Sequence, residues 1–358
     1  MFQSDQTNFS TRLKLARKMA GMSLQDLSDA LINKVTKQAL NKYEQAQMNP
    51  TTEVLIAIAK VLSVKPDFFL KKTTIELGEV MFRKKASLSK KDEEAVVEKV
   101  RDYVERYLEI EGILGIESSF INPLQDFPLR ERKDVEAAAK YLRKLWDLGN
   151  NPIANIVEML ELRGIKVLLL DIVDEFDGLA VFTSTNIPVV VVNTSGKSIE
   201  RIRFTIIHEL AHLFLELSIL GGRDPKKVET LCHFFSTCFL IPTEMLVKMI
   251  GNGKRSYIYI NELITIKEYY GISIRAIVYR LKELEIITEN YYQRWVIYMS
   301  KTNGAKSEPG DYKGEEKSKG FQQLINRALS EGIISISKAA ALCNTDINKL
   351  RKEIIDVR

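Results

Sequence analysis

An α+β, mostly helical fold is predicted by three observations. Apolar residues recur at helical spacing through most of residues 9–70. Three β-rich runs cluster at 166–193, and a helical stretch carrying His-Glu-x-x-His follows them at once. Helical patterning returns from 261 to the end. The expected architecture is an N-terminal five-helix unit containing a helix-turn-helix, a middle region with a small sheet packed on the H-E-x-x-H helix, and C-terminal helices. A chain of 358 residues suits two or three domains. With 45% hydrophobic and 28% charged residues, a sizeable core can form, which excludes a mainly disordered or fibrous chain.

The segments divide as follows. Residues 1–72 are the helix-turn-helix domain, and 73–132 a connecting helix and linker. Residues 133–250 are the domain bearing the histidine motif, and 251–300 a helical extension. Residues 301–319 are expected to be a flexible loop and 320–358 a C-terminal helical pair. Residues 1–72 hold 11 Lys/Arg against 6 Asp/Glu, whereas the remainder holds 41 of each. All of the net charge of +5 therefore lies at the N-terminus, which points to a polyanion partner, DNA first. No apolar run approaches a membrane span, no secretory core opens the chain, and the three cysteines form no C-x-x-C pair. A reducing cytoplasmic location is expected.

Phe9, Leu13 and Ala16 mark a first helix that Gly21 can end. Ser23 can cap a second, with Leu24, Leu27 and Leu31 on its apolar face. A third starts near Thr36, a fourth follows Pro50, and Pro66 opens a last turn through Phe68, Phe69 and Leu70. Two short helices joined by a tight turn in a basic helical unit form the helix-turn-helix pattern. The third helix is the expected reading helix for a DNA operator, through Thr36, Lys37, Gln38, Asn41 and Lys42. Gln and Asn pair bidentately with adenine, and Lys suits phosphate or guanine. The stretches GMSLQDLSDAL, VTKQALNKYEQAQMNP and EVLIAIAKVLSV resemble the XRE (Cro/repressor-like) family. Tyr43, Glu44 and Pro50 match a family element in which Ala46 takes the place of the usual glycine. Leu24 stands where that family often has Gln.

Ser89 and an acidic first turn open a long amphipathic helix over 87–115, with Val96, Val100, Tyr103, Val104, Tyr107 and Leu108 on one face. It suits a rigid spacer, packing on the next domain, or dimerisation into a homodimer. Residues 116–132 read as an irregular linker with two prolines. Helices at 133–147 and 152–163 come next, followed by KVLLLDI, GLAVFTS and PVVVVN, with Asp/Gly and Asn/Pro turn signals between them.

In RIRFTIIHELAHLFLEL (201–217), His208 and His212 are four residues apart, so both imidazoles leave one helical face and can grip one Zn2+ ion. Glu209 is turned about 100° from His208, beside the metal rather than on it. There it can take a proton from a metal-bound water and hand it to a leaving amine. Two of the three histidines in the chain fill this motif. A third ligand is required. Glu229, 17 residues past His212 on a helix over 228–242, is favoured, with His233 one turn on as its rival. Cys232 and Cys238 are assigned to packing. Arg203, Tyr257 and Tyr259 are candidate oxyanion donors.

Residues 134–245 resemble the ImmA/IrrE metallopeptidases, through EAAAKYLRKLWDLGNNPIANIVEMLELRGIKVL, DGLAVF, PVVVVN, RFTIIHELAHLFLEL and ETLCHFFSTCFLIP. In the last element Glu229, Phe235, Leu240 and Pro242 match, while Cys232 and Ser236 replace alanines. The resemblance implies a zincin-like domain with His208, His212 and Glu229 as zinc ligands and Glu209 as the catalytic base. It also implies site-specific cleavage of a protein substrate, a repressor or cognate regulator. The alternative is a non-catalytic repressor, or the antitoxin of a toxin–antitoxin pair, with the zinc domain as a structural or sensing body. Arg275, Arg280 and Lys282 suggest either a second DNA contact or, as favoured here, a segment packed on the peptidase. The C-terminal helical pair suits substrate recognition or oligomerisation.

Overall fold

The computed structural model describes residues 2–32, 34–71, 75–78, 81–84, 89–172, 176–222, 224–301 and 307–353, with the side chains of 2–7, 81–84 and 353 excepted. It divides into two compact units. The first comprises Met1–Ser119, Phe182–Ile187 and Lys319–Arg358; the second comprises Phe120–Val181 and Pro188–Ser318.

The first unit opens with α1 (Phe2–Met19), α2 (Leu24–Ala30), α3 (Lys37–Glu44) and α4 (Thr52–Val61). The fifth expected helix is a 3-10 turn, Pro66–Leu70. Three successive helix starts are capped as side-chain chemistry dictates. The hydroxyls of Ser23, Thr36 and Thr51 accept from the backbone N–H of Asp26, Ala39 and Val54. Phe9, Leu13, Leu27, Leu40, Tyr43, Ile58 and Phe69 form the shared core. A short strand, β1 (Met81–Lys84), precedes α5 (Lys90–Ile113), which Ser89 caps through Asp92 N–H. Arg12 of α1 reaches Glu105 of α5 at 2.6 Å, with both side chains buried.

In the second unit α6 (Arg132–Leu145) and α7 (Ile156–Glu161) lead into β2 (Lys166–Leu170), β3 (Phe176–Phe182) and β4 (Pro188–Asn193). Their order in the sheet is β3–β4–β2. β2 runs parallel to β4, Lys166 opposite Val189 through Leu170 opposite Asn193. Every residue of β4 is buried, as its continuous valine run requires. The Asp177–Gly178 pair, read as a turn signal, lies inside β3. α8 (Ile199–Phe214) packs on β4 and on α10 (Pro225–Leu240), with the short α9 (Ser218–Gly221) between them. Ser198 and Asp224 cap α8 and α10. α11 (Thr243–Ile250), α12 (Ile260–Tyr270), α13 (Ile274–Glu283) and α14 (Glu289–Lys301) complete this unit. Gly271, at φ 62°, ends α12, and Ser273 caps α13.

Two irregular segments are better anchored than the sequence suggested. In 116–132, Leu124 and Leu129 are buried, Phe120 stacks on Phe214, and Asn122 donates to the Phe214 carbonyl at 3.0 Å. Residues 302–306 of the expected flexible loop lie outside the described residues. The part from 307 onward carries no regular structure before the final helices, yet flexibility does not describe it. Glu308 accepts from the N–H groups of Ile274 and Arg275 at the start of α13, and Glu316 accepts from those of Ile156 and Val157.

The C-terminal helical pair is three helices, α15 (Gly320–Ser330), α16 (Ile336–Leu342) and α17 (Ile347–Glu353). The second of the pair breaks at Asn344, which takes φ 47°. These helices belong to the first unit and bury Ile325, Ala328, Ala339, Ala340, Leu342 and Leu350 with Ile110 of α5. Among the described residues no single helix is long and apolar enough to cross a membrane.

Candidate metal centre and nucleic-acid face

The candidate metal centre lies where α8 and α10 pack together. One turn of α8 separates His208 from His212, and their Nε2 atoms lie 3.1 Å apart. From α10, Glu229 sets Oε2 3.2 Å from His208 Nε2 and Oε1 3.2 Å from His212 Nε2. His208 is fully buried, whereas the side chains of His212 and Glu229 are 23% and 36% exposed. The cluster therefore has a buried side and an accessible one. Donor atoms around a tetrahedral zinc at about 2.0–2.1 Å stand about 3.3 Å from one another. Two imidazoles and a carboxylate at 3.1–3.2 Å fit such an ion in both spacing and donor type.

Two further side chains adjoin this triad. Donor atoms of His208, Glu229 and His233 all lie within 4.8 Å of one another, as do those of His208, His212 and Cys232. The rings of His233 and His208 are 4.8 Å apart. Cys232 is buried, with Sγ 3.6 Å from His212 Nδ1, a contact that leaves Nε2 facing the triad. The Cys238 thiol is pushed up to about 12 by burial, as a packing role predicts.

Glu209 is 2% exposed and faces the backbone of β3. A Cβ at Gly178 would meet Thr205 Cγ2 at 2.9 Å and Glu209 Oε1 at 3.0 Å. Glycine at 178 is what lets the strand approach this carboxylate. Sequence reasoning missed that role, although a glycine inside a β-rich run is the signal for a close backbone approach.

Arg203 is not an oxyanion donor. It is 0% exposed, with Nε donating to the Gly271 carbonyl at 3.0 Å and Nη2 to the Ile153 carbonyl at 2.8 Å. Its Nη1 is paired with Glu316. Every nitrogen of the guanidinium is spent on holding the N-terminal half of α8. Tyr257 and Tyr259 are exposed, edge-on to each other at 5.0 Å. Arg280 is likewise removed from the DNA-contact candidates. It is 1% exposed, pairs with Glu136 at 2.6 Å and lies over the Phe234 ring.

The candidate nucleic-acid face is the outer side of α3. Leu40 and Tyr43 point into the core, and Thr36, Lys37, Gln38, Asn41 and Lys42 are all exposed. Thr36 is the cap rather than a helical residue. Ser28 of α2 donates to the Val35 carbonyl at 2.7 Å, which fixes the turn before α3. Arg17 grips both carboxylate oxygens of Glu44, at 2.6 and 2.8 Å, which fixes the end of α3. Ala46 holds φ 55°, the conformation that glycine adopts without cost.

A donor cluster on two packed helices, buried on one side, and an exposed polar face on α3 fit a helix-turn-helix protein with a metallopeptidase-like domain. Comparison with known families agrees. Residues 13–69 match the helix-turn-helix family, and residues 160–282 match the IrrE N-terminal-like domain, a peptidase family. The chain thus carries an N-terminal XRE-type domain and an ImmA/IrrE-like domain. The second match reaches through α12 and most of α13. No curated protein matches the chain.

Proposed function

We propose that this chain is a DNA-binding regulator whose second domain is a zinc-dependent, site-specific endopeptidase acting on a protein substrate. A repressor or cognate regulator is the substrate class, and the setting is cytoplasmic. The observation that carries the reading is the convergence of His208, His212 and Glu229 at 3.1–3.2 Å. In this reading those three residues hold zinc, His233 flanks the site, and Glu209 is the general base. His208, His212 and Glu229 would hold the zinc, which when bound would supply Lewis-acid activation of water and of the scissile carbonyl. Glu209 takes the proton of the attacking water as the new C–O bond forms. It then delivers that proton to the amide nitrogen as the C–N bond breaks. The close packing of Glu209 against Gly178 supports this reading, because it limits the positions open to the carboxylate. Gln38 and Asn41 read adenine edges, while Lys37 and Lys42 contact guanine or phosphate.

The test is co-expression of the wild-type chain and its Glu209→Gln variant with the proteins encoded beside it, scored by gel and mass spectrometry. The expected result is the pair of new fragments from one cut in the wild-type culture only, lost when metal is chelated in extracts. The same fragments from Glu209→Gln would remove the general-base assignment. No fragment from either form, with DNA binding retained, would favour a non-catalytic repressor or antitoxin.

A further inference from the structure

We infer that α16 and α17 form a second helix-turn-helix whose outer helix, α17, contacts the DNA backbone. The inference builds on the reading of α2–α3 as a DNA reader, because the two pairs match within their helices, although the four-residue connection between α16 and α17 (343–346) is two residues shorter than that between α2 and α3 (31–36). Both inner helices, α2 and α16, have seven residues and a serine cap, Ser23 or Ser335, whose hydroxyl accepts from the third N–H of the helix. Two residues past each inner helix the chain turns through a left-handed residue, Ile32 at φ 56° or Asn344 at φ 47°. A polar cap then opens the outer helix. Thr36 serves α3, and Asp346 Oδ1 accepts from Asn348 N–H at 2.8 Å before α17.

The outer helices agree in register. Their fourth positions, Leu40 and Leu350, are buried in the core. Their second, fifth and sixth positions are exposed: Gln38, Asn41 and Lys42 on α3, and Asn348, Arg351 and Lys352 on α17. Lys349 adds a third exposed cation to α17. The side chains of Asn348, Lys349, Arg351 and Lys352 have no hydrogen-bond or ion-pair partner among the described residues. In contrast, α16 is the inner element. Lys338 pairs with Glu109 of α5, and Arg106 Nη1 donates to the Leu342 carbonyl at 2.7 Å. The inner helix is fixed to the body of the first unit, and the outer one presents three cations and an amide. That is the donor set for phosphate oxygens.

The test uses the full chain and two 60-bp duplexes, the stretch upstream of its own reading frame and a scrambled copy. Binding is measured by fluorescence anisotropy from 50 to 300 mM KCl. K349A/R351A/K352A is expected to bind both duplexes at least tenfold more weakly at low salt. Its slope of log affinity against log salt should be shallower by about 2–3, one counterion per lost phosphate contact. The charge-reversed K349E/R351E/K352E should bind more weakly still. Wild-type affinity and slope in both variants would overturn the inference and leave α17 a solvated face or a site for an acidic protein. K37A/K42A separates the two readings. If it binds as wild type while the α17 variants lose affinity, the α3 assignment fails and the α17 contact stands. If the wild type itself binds neither duplex, both fail.

Discussion

The α8–α10 centre and the outer face of α3 place polar side chains under opposite conditions. His208 is fully buried and Glu209 nearly so, each held by packing from α10 or β3, whereas Lys37, Gln38, Asn41 and Lys42 project into solvent. Buried polar groups are costly unless they are hydrogen-bonded or paired. At the centre donor atoms of three residues approach one another at 3.1–3.2 Å, so each substitution there should strike metal binding, chemistry or packing. On α3 the fold draws on Leu40, Tyr43 and Glu44, while Lys37, Gln38, Asn41 and Lys42 are exposed. Substitutions there should change binding and leave stability alone.

The sharpest break of this contrast is Glu209→Gln. It should lower hydrolysis by about 10²–10⁴-fold or more while zinc content stays at one per chain. Loss of zinc together with activity would make Glu209 a ligand instead. Next is Gly178→Ala, which forces a methyl against Thr205 and the Glu209 carboxylate. Thermal unfolding should show a loss of about 1–3 kcal/mol, with hydrolysis falling further than the stability change explains. A wild-type melt and rate would mean that β3 does not constrain Glu209.

Replacing Lys37, Gln38, Asn41 and Lys42 by Ala should cost DNA affinity in a salt-dependent way yet move stability by about 0.5 kcal/mol or less in chemical denaturation. A large stability change would erase the contrast. Ala46→Gly should stabilise the first unit by up to about 1 kcal/mol, because φ 55° strains alanine, and an unchanged melt would remove that strain.

Glu109 gives the smallest effect. Burial alone would raise its pKa, but hydrogen bonds from Lys338 and Lys71 outweigh burial and hold it below the ordinary 4.5. Its folded pKa is depressed, so the stabilisation is present above pH 4.5 and lost as pH falls through the folded value. Being partly exposed, it is worth about 1 kcal/mol or less. Glu109→Gln should cost that amount at pH 7 and progressively less as the pH falls below 4.5; a cost that does not change with pH would deny the ion pair its role.

Much of both regions was legible in the sequence because the signals are local. Capping serines and threonines, the valine run of β4 and the four-residue histidine spacing each act within a turn or a strand. What stayed hidden depends on contacts between distant residues. Gly178 resembled a turn signal until β3 was set against α8. Arg203 resembled a free cation until Glu316, 113 residues on, was paired with it. The segment around Glu308 and Glu316 resembled a flexible loop because its composition is polar, and its anchoring lies in carboxylates that cap helices far away in sequence. Cys232 was read as packing, but its 3.6 Å contact with His212 follows only from the pairing of α8 with α10.

Zinc stoichiometry and affinity across the donor set test the central claim most directly. Wild type, Glu209→Gln, His208→Ala, His212→Ala, Glu229→Ala and His233→Ala would be dialysed against zinc and titrated with a competing chelator. The account predicts one zinc per chain in wild type, Glu209→Gln and His233→Ala, and loss of most bound zinc in the other three. Zinc retained in Glu229→Ala but lost in His233→Ala would contradict it and make His233 the third ligand.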